Sequence, residues 1–195
     1  MADGHPMRFT DTRQKYLTFV TTCNEKWTVG ARVAEELPAL SPEPPALRMF
    51  DAGVGEGTVL AHLLRAAHAE YPTMPFYVVG KEISLEDARL FLEKLPDRFV
   101  EHPHTVIALT NLHYGESPWL WPRSDAHRDA LHFEYVELEG DGSHSFGEQL
   151  RAIDPFLVEH WAVKPSEKTG NPLYVKPTVL EVPWSSHIRP STACR

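Results

Sequence analysis

An apolar run that ends in three glycines at alternate positions constrains the fold of this chain more than any other feature. The run from Leu47 to Phe50 leads into Asp51, and the glycines are at positions 53, 55 and 57. Glycine adopts positive φ angles readily and allows a ligand close to backbone N–H groups and to the start of the next helix. Residues at helical spacing follow, so the sequence predicts a strand, a glycine turn and a helix, as in nucleotide-type sites: Val59, Leu60, Leu63, Leu64 and Ala67.

Two further αβ units are predicted after the glycine turn. A second apolar strand begins at Pro75 and ends at the acidic Glu82, and a third runs from Thr105 to Thr110. Between them, Ser84 and Asp87 approximate a capping box at the start of a helix that Pro96 ends. The segment from residue 47 to residue 112 therefore has the alternating pattern of an α/β domain.

The turn has the spacing D-x-G-x-G-x-G, which differs from the dinucleotide fingerprint G-x-G-x-x-G. It resembles motif I of class I S-adenosylmethionine-dependent methyltransferases. The resemblance implies an α/β, Rossmann-like methyltransferase sheet with helices on both faces and S-adenosylmethionine as the cofactor. In that interpretation Asp51 orients the turn and attracts the cationic cofactor, which Gly53, Gly55 and Gly57 allow to come close.

The same resemblance assigns roles to residues at the ends of the next two strands. Glu82 matches the acidic position after the second strand and is predicted to accept hydrogen bonds from both ribose hydroxyls. Asn111 follows the third strand and is predicted to meet the exocyclic amine of adenine, with the backbone of Leu112 beside the ring. An asparagine there is also an ordinary turn residue, and that alternative stays open.

Composition limits the remaining choices. The chain has 195 residues, of which 42% are hydrophobic, and a formal net charge of −8, which predicts one domain and disfavours nucleic acid as a partner. We expect a small-molecule or protein substrate. The sequence contains two cysteines, no signal-peptide pattern and no membrane-spanning run, so a cytoplasmic location is predicted.

The chain divides into three parts. Residues 1–45 are predicted to form a helical segment and a proline-rich linker, residues 46–184 the cofactor-binding domain, and residues 185–195 a tail. Tyr16 and Trp27 in the first part either cover the cofactor or pack as an aromatic stripe on the sheet, and the second alternative is favoured.

The resemblance covers only residues 47–112. Beyond Leu112 two strand patterns stand out, at 131–138 and 175–182, and Pro177 predicts an edge position for the second. We therefore expect a sheet that is incomplete in its C-terminal half, as in a truncated chain.

The tetrapeptide 171–174 resembles the N-P-P-Y motif of amino-methylating enzymes, but its polar surroundings predict a turn. His102 and His104 are predicted to be surface residues and not a metal pair.

Three functions remain open. The first is methyl transfer from S-adenosylmethionine, for which the sequence indicates no catalytic base. The second is a non-catalytic module or fragment that binds the cofactor. The third, a nicotinamide-dependent oxidoreductase, is disfavoured by the glycine spacing and by the lack of a Tyr-x-x-x-Lys pair in a predicted helix.

Overall fold

A computed structural model describes Thr18 and residues 22–184 of the 195-residue chain. Tyr16 and the tail 185–195 lie outside the described residues. The strands are β1 Leu47–Asp51, β2 Phe76–Lys81, β3 Thr105–Thr110, β4 His132–Tyr135, β5 Val163–Pro165, β6 Pro172–Tyr174 and β7 Thr178–Pro183. The helices are α1 Glu25–Ala34, α2 Thr58–Glu70, α3 Leu85–Glu93, α4 Pro96–Glu101, α5 Asp125–Asp129, α6 Ser143–Ala152 and α7 Asp154–His160. Short 3-10 turns span Leu37–Ala39 and Ser117–Trp119.

The first three strands confirm the predicted α/β pattern. β1, β2 and β3 are parallel neighbours, with Leu47 opposite Phe76 and Phe76 opposite Thr105. α2 joins β1 to β2, while α3 and α4 join β2 to β3. The predicted cap of α3 is also present, because the Ser84 hydroxyl accepts a hydrogen bond from the Asp87 N–H at 3.3 Å.

The described strands form a mixed five-stranded sheet in the order β1-β2-β3-β7-β4, and β5 pairs with β6 in a separate hairpin. β7 runs antiparallel to β3 and parallel to β4. The sheet therefore belongs to a mixed α/β architecture, in which the strand that leads into the glycine turn lies at the edge.

One continuous core joins one face of this sheet to the longer helices. Alternate strand residues such as Phe76 and Ile107 pack with Leu64 of α2, Phe91 of α3 and Phe146 of α6. The opposite face is more open: Phe50, Phe133 and Tyr135 are 39%, 49% and 39% exposed. Part of it near the start of β7 is covered by a small cluster that includes Leu112, Tyr174 and Val179.

The expected helices on both faces correspond to a doubly wound sheet, whose strand order reverses at a central strand. Here the order runs β1-β2-β3 without a reversal. Because consecutive parallel connections share one hand, α2 and the α3–α4 pair fall on the same face. Among the described residues, the core-forming helices thus cover one face only.

Two predictions for the C-terminal half are wrong in detail. β7 is an interior strand between β3 and β4, and Pro177 precedes it, so the missing N–H of the proline removes no ladder hydrogen bond. The segment Pro172–Tyr174 forms strand β6, whereas Ser166–Asn171 makes the turn before it.

The prediction of two surface histidines is wrong for His102, which is 1% exposed. Its ring stacks on His68 with centroids 4.7 Å apart and meets Phe76 edge-on. The pair lies at the N-terminal ends of β2 and β3, where the end of α2 and the residue after α4 converge.

No described helix is long and apolar enough to cross a membrane.

Candidate functional site

The glycine turn begins at Asp51, the last residue of β1. The Gly53 N–H donates a hydrogen bond to Asp51 Oδ1 at 3.2 Å. Among the described residues, no cation forms an ion pair with this carboxylate. Burial raises the pKa of Asp51, and the bond from Gly53 opposes that effect. A half-buried carboxylate with these properties gains from a cationic ligand.

The three glycines of the turn have different surroundings. A Cβ added at Gly53 or Gly55 would meet no atom within 4 Å. A Cβ at Gly57 would lie 2.4 Å from Cδ2 of Phe91, and this glycine has φ +83°, a left-handed conformation. Gly55 is also left-handed, with φ +56°. Gly57 is therefore required by packing, whereas Gly53 and Gly55 border open space.

Glu82 anchors the turn to the end of β2. Its Oε2 accepts from the Gly55 N–H at 3.0 Å, and its Oε1 accepts from the N–H groups of Ile83 and Ser84 at 2.8 and 2.7 Å. The Val54 N–H also donates to the Lys81 carbonyl at 3.0 Å. The structure thus brings Asp51, the glycines and Glu82 together, with the Glu82 carboxylate already engaged by backbone donors.

Asn111 and Leu112 lie in the interior beside the start of β7. The Asn111 amide nitrogen donates to the carbonyls of His160 and Lys176 at 3.1 and 2.9 Å, and its oxygen accepts from the Thr178 N–H at 2.9 Å. Asn111 is 1% exposed and Leu112 is fully buried. Both N–H donors of the amide are used, so this side chain ties β3 to the segment that enters β7.

A buried ionic network behind the turn was not predicted from the sequence. Glu56 is 2% exposed and accepts from Lys26 of α1 at 2.5 Å, from Thr58 at 2.6 Å and from Lys94 at the end of α3. The lysine and threonine hydrogen bonds outweigh burial and lower the pKa of Glu56 to about 2. Lys26 and Lys94 are distant in sequence; an acidic residue between two glycines was the only local signal.

A second polar network surrounds Tyr174, the last residue of the predicted tetrapeptide turn. The Tyr174 hydroxyl donates to Glu116 at 3.3 Å and lies 3.0 Å from Nδ1 of His127. Burial and the Glu116 carboxylate raise the pKa of Tyr174 to about 12. Asn171, at the other end of the tetrapeptide, is exposed in the hairpin turn. Its side chain and Tyr174 therefore do not form a shared site.

Trp27 packs on α2 and not on the sheet, since its ring meets His62 edge-on with centroids 5.1 Å apart. It borders a groove of about 1010 Å³ on the helical side of the molecule. Thr58 and Lys94 border the same groove, but Asp51 and Glu82 do not.

Among the described residues, no group of three or more His, Cys, Asp or Glu side chains is arranged to hold a metal ion.

Comparison of the chain with protein-family models, curated proteins and solved structures finds no match. The function of the site must therefore be argued from its own geometry.

Proposed function

We propose that this chain binds S-adenosylmethionine at the glycine turn and transfers its methyl group to a small molecule or a protein. The observation that carries the proposal is the open space beside Gly53 and Gly55, in a turn that begins at the half-buried Asp51 and whose Gly53 N–H is bonded to that carboxylate. Ligand atoms placed there lie beside the turn that leads into the first turn of α2.

The charge of the turn favours this cofactor over a dinucleotide. Asp51 attracts the ammonium and sulfonium groups of S-adenosylmethionine, whereas it would repel a pyrophosphate. When bound, the cofactor supplies a methyl group already activated by the sulfonium. The residues of the chain then have to orient the two reactants and exclude water. A nicotinamide-dependent oxidoreductase is the less favoured alternative for the same electrostatic reason.

Ribose recognition is assigned to Glu82 in this proposal. Oε2 of Glu82 accepts one backbone N–H, and a carboxylate oxygen has a second lone-pair site for a hydroxyl. Asn111 and Leu112 would reach the adenine only if the amide gave up its bonds to the segment before β7. The proposal therefore rests on Asp51, the glycines and Glu82.

A non-catalytic cofactor-binding module is the second candidate. It is favoured by one observation: β1 lies at the edge of the sheet, and no described strand pairs with its far side. In a doubly wound sheet the ligand crevice lies at the switch point between two such strands. A chain without the second strand keeps the turn but lacks one wall of the crevice.

Calorimetric titration of the full chain with S-adenosylmethionine, S-adenosylhomocysteine and NAD tests the proposal. We expect the first two ligands to bind and NAD not to bind. In Gly53→Val the branched side chain enters open space, so the affinity for S-adenosylhomocysteine should fall at least about tenfold, a loss of about 1.4 kcal/mol, without a change in thermal stability.

Gly142→Val is the matched control, because a Cβ at Gly142 also meets no atom within 4 Å. Unchanged affinity in Gly53→Val would overturn the proposed site. Formation of S-adenosylhomocysteine in a cell extract would favour the enzyme, whereas binding without turnover would favour the module.

A further inference from the structure

Lys81 is a buried cation at the edge of the candidate site. Its side chain is on the open face of the sheet, and the residue is only 7% exposed. Nζ lies 4.7 Å from the ring centroid of Tyr114, in a cation–π contact. Among the described residues, no acceptor forms a hydrogen bond or an ion pair with this amine. The ammonium group therefore has an aromatic cover but no directly paired anion.

Such a position is unfavourable in the absence of a ligand. Buried ammonium groups in proteins are normally paired, because the loss of hydration is otherwise uncompensated. Burial lowers the pKa of Lys81, and the neighbouring Glu82 carboxylate opposes the shift without a direct contact. A cation–π contact compensates only part of this loss of hydration. An anionic group placed beside Nζ would supply the missing interaction.

The amine is also next to the glycine turn. The Lys81 carbonyl accepts from the Val54 N–H at 3.0 Å, so the residue that carries the amine is bonded to the turn itself. The longer helices cover the other face of the sheet, whereas Phe50 on the face of Lys81 remains exposed. Tyr114 and Trp119 of the segment after β3 are 63% and 75% exposed. A molecule that approaches the turn across the open face thus meets aromatic side chains and one buried cation.

We propose that Lys81 and Tyr114 bind a carboxylate or phosphate group of the methyl acceptor, and that the acceptor places an aromatic or apolar body on the open face of the sheet. This inference rests on the proposed function, because it takes the glycine turn as the cofactor site. Burial raises the pKa of Glu181, the other central carboxylate on this face, and a hydrogen bond from the Tyr77 hydroxyl opposes that effect.

The experiment compares benzoate with its neutral isostere benzamide on the full chain, by nuclear magnetic resonance with labelled lysine side chains. Benzoate should bind at least about tenfold more tightly than benzamide and should raise the pKa of the Lys81 amine. Lys81→Met should abolish the preference for benzoate. Because methionine replaces a buried charge with an apolar chain, this variant should unfold at the same or a higher temperature. Tyr114→Phe keeps the ring face and should keep the preference.

S-adenosylhomocysteine binding, measured on the same variants, separates the inference from the proposed function. An unchanged affinity of Lys81→Met for S-adenosylhomocysteine, together with the lost preference for benzoate, supports the acceptor role. A preference for benzoate that survives Lys81→Met would overturn the inference. A loss of S-adenosylhomocysteine but not of 5′-methylthioadenosine binding in Lys81→Met would also overturn it, since the amine would then serve the cofactor's own carboxylate. If the wild-type chain binds neither S-adenosylhomocysteine nor 5′-methylthioadenosine, the proposed function is contradicted instead.

Discussion

At the scale of single residues, Glu82 supports the glycine turn in the absence of any ligand. Its carboxylate accepts from the backbone N–H groups of Gly55, Ile83 and Ser84. Glu82→Ala leaves these donors without their partner, and hydrogen bonds to a charged group contribute about 1.5–3 kcal/mol. We expect the variant to lower the free energy of unfolding of the ligand-free chain by about 2 kcal/mol, measured by urea denaturation.

Glu93→Ala is the control for this change, because Glu93 is exposed at the end of α3. Its effect should stay within about 0.5 kcal/mol. Equal stability of Glu82→Ala and the wild-type chain would mean that the backbone bonds contribute nothing and would leave only the ribose role.

At the scale of elements, Glu56 joins α1, the glycine turn and α3 through Lys26 and Lys94. Removing one partner of a buried ionic network leaves uncompensated charge, so Glu56→Gln should cost about 3 kcal/mol at pH 7. The pKa of Glu56 in the folded chain is about 2, below its usual value, so the stabilisation is complete above the unfolded pKa of about 4.5 and is lost as the pH falls to about 2.

The measurement is the difference in unfolding free energy between Glu56→Gln and the wild-type chain, followed from pH 7 to pH 2. The difference should shrink with acidification, while Glu43→Gln, an exposed linker variant, should differ little from the wild-type chain at any pH. A difference that does not depend on pH would contradict the ionic role.

At the scale of the whole molecule, two buried histidines set the response of stability to mild acid. Burial, together with the nearby His102 and Arg98, lowers the pKa of His68 to about 3. Glu101 lies 3.8 Å from His68 Nδ1 and does not reverse the shift. Burial and His104 also lower the pKa of His102. The His68 ring is therefore neutral in the folded chain near pH 5, and the lowered pKa of His102 favours the neutral form of that ring as well.

Because an unfolded histidine titrates near pH 6.5, the stabilisation is complete above that value and is lost as the pH falls towards 3. We expect the free energy of unfolding to decrease by about 1.4 kcal/mol per pH unit for His68 alone in that range. Urea denaturation at pH 7, 6, 5 and 4 checks the slope, and His68→Phe should reduce it. The exposed His144→Gln provides the comparison and should leave the slope unchanged.

The sequence alone determined the features that depend on neighbours along the chain. Apolar runs and helical spacing predicted β1, β2, β3 and the helices α2 and α3, because strand and helix periodicity are local properties. The helix α4, which begins at the proline expected to end the preceding helix, was not predicted. The Ser84 cap followed from residues three positions apart. The grouping of Asp51, the glycines and Glu82 was predicted as well, through a resemblance in residues 47–112 that depends on the order of motif and strand.

Tertiary structure decided everything that depends on residues brought together from distant segments. The interior position of β7, the hydrogen bonds of Asn111 and the burial of His102 depend on partners far away in sequence. Gly57 looks identical to Gly53 in the motif, but only Gly57 faces Phe91. In the sequence, Lys81 is an ordinary lysine at the end of a strand. Its contact with the Tyr114 ring depends on the position of the loop after β3. Local pattern fixes which face a side chain takes on its own element, whereas packing between elements decides what that face meets.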